Sequence, residues 1–355
     1  MADEWLLYGA YGYTGELIAR EAKSRGLRPI LAGRDEARLK PFAEELGLEM
    51  RSFPLDDPAR LDDGLRGVKV VLHCAGPFSR TAKPMLAACL RAKAHYLDIT
   101  GEIDVLEHAY ALDEQAKQAG IVVCPAVGFD VIPTDCVAAT LAAELPDATQ
   151  LRLGFDTRSA LSPGTAKTTV EGAVGGTRVR RGGRLTRVPM GSLTRTIDFG
   201  QGEKLAVAIP WGDVASAYRT TGIPDIEVYL PTSPRQVRAL RFTEFARPVL
   251  RLGAVQRFLQ SRAGKRPGPT PETRAKRPMH VWGEAITPGE RRVARITTAN
   301  GYDLTVTGSL PIVVQLLSDG YAESGARTPS QLMGADYVTK LPGSSPMILT
   351  NHGGL

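Results

Sequence analysis

The sequence predicts an α/β chain in which a doubly wound parallel sheet is followed by a second, α+β domain with a mainly antiparallel sheet. Three observations lead to this fold class. Apolar runs alternate with helix-like segments through the first 145 residues, and a glycine-rich turn joins the first strand to the first helix. After Pro146, period-two alternation punctuated by Gly and Pro turns dominates the sequence instead.

The first part of the chain contains six predicted strands joined by helices. An apolar run such as 68–74 is typical of a parallel strand that is covered on both faces. The predicted strands are 5–8, 29–32, 50–53, 68–74, 96–99 and 121–124, and the predicted helices are 14–25, 35–46, 58–65, 83–92, 104–118 and 134–145. Because helical crossovers bury both faces of a sheet, this alternation predicts a Rossmann-type sheet with strand order 3-2-1-4-5-6.

The remainder of the chain reads as a second domain and a helical tail. The predicted strands are 194–199, 205–209, 226–229, 292–297 and 302–307; a proline-rich exposed loop is predicted at 263–278 and helices at 311–321 and 329–340. We therefore expect a nucleotide-binding domain at 1–146 and a substrate or dimerisation domain at 147–307. The tail, 308–355, is expected to pack back on the first domain.

Length and composition exclude several classes of protein. With 355 residues, 43% of them hydrophobic, the chain can bury large cores and is not a disordered protein. Its four cysteines lack metal-ligand spacing, which predicts reduced thiols and no metal site. Its apolar runs are too short for a membrane-spanning helix, and the first strand follows Met1 so closely that we expect no signal peptide and a cytoplasmic location.

The glycine-rich turn after the first strand predicts a dinucleotide site. Glycines allow a tight turn and close approach of a pyrophosphate, and the following helix offers its N-terminal N–H groups and positive dipole end. The turn lies between a strand and a helix at the start of the βα series, which makes the pattern specific. The predicted cofactor contacts here are Gly9, Tyr11, Gly12, Tyr13, Thr14 and Gly15.

The residues after the second strand decide between NAD and NADP. Arg34 follows Gly33 directly, and its planar guanidinium can pair with a 2′-phosphate. In the alternative, Arg34 is a solvated residue at a helix start and Asp35 binds the ribose of NAD. Because Asp35 also suits the N-cap of the next helix, we favour NADP(H) and Arg34 as its phosphate ligand.

The loop after the fourth strand lies across the switch point from the glycine turn in this strand order. It consists of Cys74, Ala75, Gly76, Pro77 and Phe78. Small residues there leave room for the nicotinamide ribose, and Phe78 is placed to wall one side of the ring.

Several motifs together resemble the saccharopine dehydrogenase-like superfamily. They lie at residues 9–15, 31–34, 74–78, 95–102 and 125–135. Residues 210–229, Gly164-Thr165 and the stretch 175–185 resemble the branch of trans-acting enoyl reductases. This resemblance implies reduction of an enoyl thioester that is carried by a separate polyketide synthase. Tyr11 departs from the pattern, since a small residue is common there, and it is expected to narrow the pyrophosphate approach or to cover the cofactor.

An enoyl reduction requires a proton donor and a group that stabilises the enolate oxygen. Polar residues follow the fifth and sixth strands, and Thr100 and Asp130 at the strand ends are the preferred catalytic candidates. Tyr218, read as a strand residue, is a third candidate donor. Each polar residue also has a structural alternative, such as an acid at a helix start or a tyrosine at a core rim.

Two other functions stay open. A saccharopine dehydrogenase-like enzyme would act on a C–N bond of an amino acid and would need cations for its carboxylates. Arginines at 178, 180, 181, 184 and 187 are available, although their position beside Gly182-Gly183 favours a solvated β-hairpin. The other alternative is a non-catalytic NADPH-binding protein associated with a membrane or a synthase.

The positive charge is concentrated between Arg235 and Arg277. This segment holds twelve Lys or Arg and two acids, a net +10 within a chain of net +6, and its first part has a helical composition interrupted at Pro248. Such a segment is expected to dock an acidic carrier protein or to lie on the inner face of a membrane, with an ordinary packed helix pair as the alternative. We expect no nucleic-acid binding, and a homodimer is a further possible arrangement.

Overall fold

A computed structural model of the protein describes residues 5–157, 176–250, 268–318 and 320–353. The described residues form two compact units. The first unit contains residues 5–100, 104–129, 302–318 and 320–332. The second contains residues 101–103, 130–157, 176–250, 268–301 and 333–353.

The first unit is built on a parallel sheet of seven strands. These are β1 Trp5–Tyr8, β2 Ile30–Gly33, β3 Met50–Ser52, β4 Val70–His73, β5 His95–Asp98, β6 Val122–Cys124 and β15 Gly325–Ala326. Their order is β15-β6-β5-β4-β1-β2-β3, and every neighbouring pair is parallel. The predicted Rossmann-type order is thus confirmed, with one added strand from the tail.

Helices connect consecutive strands of this sheet. They are α1 Tyr13–Ser24, α2 Glu36–Leu46, α3 Pro58–Gly64, α4 Phe78–Ala92, α5 Ile103–Ala111 and α6 Asp113–Ala119. All residues of β1, β2 and β4 are buried, as expected for strands that helices cover on both faces. The predicted single helix at 104–118 is wrong in detail, because it is divided at Leu112 into α5 and α6.

The second unit contains a mixed, mainly antiparallel sheet of nine strands. They are β7 Gln150–Asp156, β8 Thr177–Arg181, β9 Arg184–Val188, β10 Thr194–Asp198, β11 Glu203–Ala208, β12 Asp225–Pro231, β13 Met279–Ile286, β14 Glu290–Thr298 and β16 Ile348–Gly353. The main order is β10-β11-β12-β7-β13-β14-β16, and β8 pairs with β12 and β9. Among the described strands of this second sheet, only β7 and β12 are parallel neighbours, so the predicted antiparallel character is confirmed.

One helix covers the centre of this sheet. Helix α7, Ile132–Glu144, is rich in small and apolar residues, and its first half is completely buried. A Cβ on Gly283 of β13 would lie 2.4 Å from Val137 and 2.9 Å from Leu141, so the glycine allows the helix to approach the sheet closely. The other helices of this unit are α8 Asp213–Thr221, α9 Pro234–Leu250, α10 Pro271–Ala275 and the 3-10 helix Tyr337–Lys340.

The predicted strand at 302–307 is wrong. Residues Gly301–Leu317 form helix α11, and its buried positions follow a helical spacing that includes Leu304, Gly308 and Ile312. Alternating polar and β-branched residues gave this helix start the appearance of a strand. Pro311, where we expected a helix to begin, lies inside the helix. The second predicted tail helix is divided into α12, Pro329–Met333, and the 3-10 helix.

The division of the chain also differs from the expected boundaries. It lies between Phe129 and Asp130 and not at residue 146, so α7 belongs to the second unit. Helix α11 and β15 belong to the first unit, where Thr305 Oγ1 accepts a 3.0 Å hydrogen bond from the Phe129 N–H. The tail up to residue 332 therefore supplies both a strand and part of a helix to the nucleotide-binding fold. Residues 333–353, by contrast, belong to the second unit, where β16 pairs with β14, so the expectation that the whole tail packs on the first domain is wrong.

The basic segment is described only in part. Helix α9 continues through Pro248, so the expected interruption there is wrong, and α10 lies within the predicted 263–278 loop. Residues 251–267 of this segment, and the motif residues 158–175 that include Gly164 and Gly175, lie outside the described residues. No helix of the described ranges has the length and apolar character required to span a membrane.

Candidate functional site

The glycine turn after β1 brings two loops of the first unit into close contact. Gly9 has a φ of +85°, and its N–H donates a 2.8 Å hydrogen bond to the Ala32 carbonyl. A Cβ at this position would lie 2.8 Å from the backbone nitrogen of Ala75 and 2.9 Å from the carbonyl carbon of Cys74. Only glycine satisfies both the left-handed conformation and this approach, so the predicted partnership of the two loops is observed.

The start of α1 is shaped in the same way. A Cβ on Gly15 would lie 2.3 Å from the Gly9 carbonyl oxygen, and the Gly12 N–H donates to the same oxygen at 3.0 Å. Gly12 is the N-cap, and no side chain of the described residues caps the helix there. The turn therefore presents an uncapped helix N-terminus, where the backbone N–H groups and the dipole favour an anion.

At the end of β2 the two candidate residues have different environments. Arg34 is exposed at the first position after the strand. The Asp35 carboxylate caps α2, since its Oδ1 accepts a hydrogen bond from the Arg38 backbone N–H at 3.2 Å. The helix-cap role weighed for Asp35 is therefore observed, which leaves Arg34 as the exposed cation at the strand end.

The ring of Tyr11 lies against the end of β2. A Cβ on Gly33 would lie 2.4 Å from Tyr11 Cε1, and the Tyr11 hydroxyl accepts a 3.2 Å hydrogen bond from the Asp35 N–H. The ring therefore lies beside Gly33 and Asp35. The expectation that Tyr11 narrows the pyrophosphate approach or covers the cofactor stays a prediction.

The loop after β4 is exposed at its tip and anchored at both ends. Thr81 Oγ1 donates a 2.6 Å hydrogen bond to the Ala75 carbonyl, and the Gly76–Pro77 peptide is cis. Phe78 begins α4, and its ring packs edge-on against His73 at 5.4 Å between centroids. With 8% exposure the ring is part of the core, so its role as a wall of the nicotinamide site stays a prediction.

Thr100 follows β5 and is completely buried. Its N–H donates to Oδ1 of Asp98 at 3.0 Å, and the same oxygen accepts from the Ala126 N–H at 2.8 Å. Ala126 has a φ of +62°, and Tyr96 donates its hydroxyl to the other carboxylate oxygen at 2.7 Å. Asp98 thus binds the loops after β5 and β6 together; desolvation raises its pKa to about 6 against these stabilising hydrogen bonds.

Asp130, the first candidate donor, lies at the start of the second unit beside Gly101 and Trp211. Its carboxylate packs on Gly101, where a Cβ would lie 2.8 Å from Oδ2, and Trp211 Nε1–H donates to its carbonyl at 2.9 Å. The residue keeps some solvent exposure. Desolvation of the carboxyl, and then the nearby Glu102, raise the pKa of Asp130 to about 7. Such an acid carries its proton up to neutral pH and can then release it.

Tyr218, the third candidate, lies on helix α8 and not on the expected strand. The Arg180 guanidinium lies 4.1 Å from its ring centroid, and the hydroxyl approaches Gly183. Arg180 also donates to the carbonyl oxygens of Val214 at 2.7 Å and Gly183 at 2.8 Å. The predicted hairpin of β8 and β9 is observed, but Arg180 within it is buried, which differs from the expected solvated arginines.

The second unit also has a polar hollow of about 240 Å³. Arg152 and Arg181 line it, and both form ion pairs with Glu227. Both arginines are therefore already engaged in ion pairs within the protein. Within the described ranges, no three His, Cys, Asp or Glu side chains converge to hold a metal ion.

A sequence-family model matches residues 5–124, and it describes the saccharopine dehydrogenase NADP binding domain. Residues 5–124 are a saccharopine dehydrogenase-type NADP-binding domain. This assignment agrees with the predicted superfamily and with the predicted NADP(H).

The NADP-binding domain fits its cofactor by the geometry of its turn. Gly9 and Gly15 let the turn pack closely on the 74–78 loop and on itself, and this turn leads into an uncapped helix N-terminus near the exposed Arg34. The assignment of individual cofactor contacts to the residues of this turn and of the 74–78 loop stays a prediction.

Curated relatives match a limited part of the chain. A trans-acting enoyl reductase of Mycobacterium ulcerans is 35% identical over 140 residues, which cover 37% of this chain and 34% of that protein. A trans-acting enoyl reductase of Mycobacterium leprae is 34% identical over 138 residues, 37% of this chain and 33% of the relative. The chain thus spans about a third of the length of the curated relatives it matches.

A solved structure extends the similarity to the whole fold. Apo saccharopine dehydrogenase (L-Glu forming) from Saccharomyces cerevisiae superposes with a TM-score of 0.65 over 98% of this chain and 99% of that chain. At 12% sequence identity, this similarity establishes the fold alone.

Two residues of the first unit were not predicted from the sequence. Arg38 lies three residues after the helix cap Asp35, and this spacing was the signal that could have placed it beside Arg34 at the helix start. Tyr302 packs edge-on against Tyr13 at 5.1 Å. Tyr302 was not recognised because residues 302–307 were predicted to form a strand.

Proposed function

We propose that the protein is an NADPH-dependent oxidoreductase that reduces the C=C bond of an enoyl thioester. The observation that carries this proposal is the tight glycine turn that ends in an uncapped helix N-terminus within an NADP-binding domain, an arrangement that suits a bound pyrophosphate. The choice of an enoyl thioester as the substrate rests on the relatives named trans-acting enoyl reductase.

When bound, NADPH supplies a hydride, which in this reaction adds to the β-carbon of the enoyl thioester while a proton is added to the α-carbon. The chain itself must supply that proton. It must also hold the reacting atoms close together and keep water away from them.

Asp130 is our candidate for the proton donor. Its pKa of about 7 keeps a large share of the carboxyl protonated up to neutral pH, and the residue as a whole is partly exposed. Thr100 is kept as a candidate catalytic group and Tyr218 as a second candidate proton donor. Thr100 is buried with its N–H bonded to Asp98, and Tyr218 is 36% exposed under Arg180.

The substrate in this proposal is a thioester that a separate carrier protein presents. The relatives are named trans-acting, which is the basis for including carrier-bound substrates in the test. Reduction of an imine to form the C–N bond of an amino acid receives no comparable support. Arg152 and Arg181 are paired with Glu227, and Arg180 is held by two carbonyl groups.

The test compares substrates and follows the transferred atom. The protein is incubated with NADPH deuterated at the nicotinamide C4 and with enoyl thioesters on pantetheine or on a carrier protein. We expect NADPH consumption and deuterium at the β-carbon of a saturated product. NADPH binding without turnover of any thioester would contradict the proposal and favour a non-catalytic NADPH-binding protein, and turnover of an imino acid alone would indicate C–N chemistry.

Asp130→Asn tests the donor, with Asp104→Asn as the matched control at an exposed helix start. The Asp130→Asn variant should show turnover reduced by about 100-fold or more with NADPH affinity unchanged. Retained turnover in this variant would exclude Asp130 as the donor.

A further inference from the structure

The end of β2 carries a second arginine that is held in place. The Arg38 guanidinium carbon lies 4.6 Å from the centroid of the Tyr11 ring. Its Nη2 also donates a 3.3 Å hydrogen bond to the Tyr11 carbonyl. A cation over an aromatic face and a hydrogen bond to the same residue together restrict a side chain that would otherwise be mobile.

Tyr11 is itself fixed from two sides. Its hydroxyl accepts a hydrogen bond from the Asp35 N–H at 3.2 Å, and its ring occupies the space that a side chain on residue 33 would take. A Cβ on Gly33 would lie 2.4 Å from Cε1 of the ring. The ring therefore depends on a glycine at that position.

The carboxylate of Asp35, next to Arg34, is engaged in capping a helix. The Asp35 carboxylate accepts from the Arg38 backbone N–H and caps α2. Two exposed arginines, Arg34 and Arg38, lie on either side of the start of α2, just after the end of β2. Helix α2 also begins there, and its dipole adds to the positive potential.

We propose that Tyr11 positions Arg38 as a second cationic ligand for the 2′-phosphate of NADPH, so that Arg34 and Arg38 together discriminate NADPH from NADH. A dianionic phosphate takes several charge-assisted hydrogen bonds, and a guanidinium group can supply two in a fixed geometry. Because Tyr11 already restricts Arg38, less conformational entropy is lost on binding. The proposal rests on the NADPH dependence proposed above.

The test measures dissociation constants by calorimetry, so it requires no turnover. NADPH and NADH are titrated into the wild-type protein and into Arg38→Ala, Tyr11→Ala, Tyr11→Phe and Gly33→Ala. Arg60→Ala is the matched control, because Arg60 is an exposed arginine three residues after Asp57, the N-cap of α3. Circular dichroism checks that each variant is folded.

We expect Arg38→Ala to weaken NADPH binding about tenfold and to change NADH binding less than about twofold, as for the loss of one charge-assisted contact. Tyr11→Ala and Gly33→Ala should give the same pattern, while Tyr11→Phe, which keeps the ring, should retain most of the preference. The Tyr11→Ala/Arg38→Ala double variant should lose no more than Arg38→Ala alone, because both changes remove one contact.

An unchanged NADPH preference in Arg38→Ala would overturn the proposal, as would additive losses in the double variant. Equal weakening of NADPH and NADH in Tyr11→Ala would show a general structural role for Tyr11 and would also overturn it. A protein that shows the expected binding pattern but reduces no thioester would contradict the proposed reaction alone.

Discussion

The Thr134 hydroxyl donates a 2.6 Å hydrogen bond to Oδ1 of Asp213, and the other carboxylate oxygen, Oδ2, is buried with no hydrogen-bond partner among the described residues. Asp213 is completely inaccessible to solvent. Desolvation raises its pKa well above the usual value, the nearby Asp135 and Asp130 add to this, and the Thr134 hydrogen bond opposes it. Folding therefore favours the protonated, neutral form of the Asp213 carboxyl.

This arrangement predicts that the wild-type protein loses stability as the pH rises. The folded state holds a proton on Asp213 that the unfolded state releases near its ordinary pKa. The stability that this group contributes is therefore fully present only at low pH, and it decreases as the pH rises toward the raised pKa of the folded state. Asp213→Asn is neutral at every pH and should remove this dependence. Urea unfolding between about pH 5 and pH 9 should show the variant gaining stability relative to wild type as the pH increases.

Asp147→Asn provides the control, since Asp147 is an exposed acid of the same unit. Its unfolding midpoint should follow that of the wild type across the pH range. A constant difference between Asp213→Asn and wild type would mean that Asp213 is ionised in the folded protein, contrary to this interpretation.

The Asp130 carboxyl predicts a pH dependence of turnover. A donor must be protonated, so the rate should be constant below pH 7 and fall about tenfold per pH unit above the pKa of about 7. Rates are measured with saturating NADPH and thioester from about pH 5 to pH 9. In Asp130→Asn the remaining rate should lack this decline, whereas Asp104→Asn should keep it. A decline that persists in Asp130→Asn would assign the titration to another group.

The contact between Gly9 and the 74–78 loop predicts a specific loss of cofactor binding. Alanine at residue 9 would meet the Ala75 backbone nitrogen at 2.8 Å, and backbone cannot move aside as a flexible side chain can. We expect Gly9→Ala to weaken NADPH binding by about tenfold or more. Gly26→Ala is a close control, because Gly26 has a φ of +78° but a Cβ added there would meet no atom of the described chain within 4 Å.

Both glycine variants should lose about 1–2 kcal/mol of stability to backbone strain, since alanine is unfavourable in the left-handed region. Thermal unfolding measures this loss of stability, which the two variants share, and calorimetry measures their affinity for NADPH. Equal affinities in the two variants would show that the approach of the loops does not shape the cofactor site.

The NADP-binding half of the chain was predictable because its signals are local. The turn at Gly9, the helix cap at Asp35 and the apolar run of β4 each depend on a few consecutive residues whose chemistry limits the backbone. Strand order then follows from the right-handed crossovers of βαβ units. The added strand β15 was missed, because two residues are too few to show a periodicity.

Contacts between distant residues were not predictable from one sequence. The hydrogen bond from the Phe129 N–H to Thr305 joins residues 176 positions apart, and the Arg38–Tyr11 contact depends on how α2 leaves the sheet. At 302–307 the alternating pattern was overridden by burial on a helical face. The glycine turn could be predicted from a local sequence pattern. The residues that surround Asp130 and Asp213 could be identified only from the three-dimensional structure.

The ion pairs around Glu284 predict a large effect on stability. This acid, with a side chain only 3% exposed, pairs with Arg152 at 2.8 Å, Arg291 at 3.2 Å and Arg195 at 3.4 Å. Glu284→Gln removes the negative charge that three neighbouring cations share. A loss of about 3–5 kcal/mol in the free energy of unfolding is expected when one partner of a buried pair is lost.

Glu290→Gln on the neighbouring strand is the control, because Glu290 is 40% exposed and pairs with Arg292 alone among the described residues. It should cost less than about 1 kcal/mol. Urea unfolding measures both, and equal small losses would show that water already neutralises the arginines around Glu284.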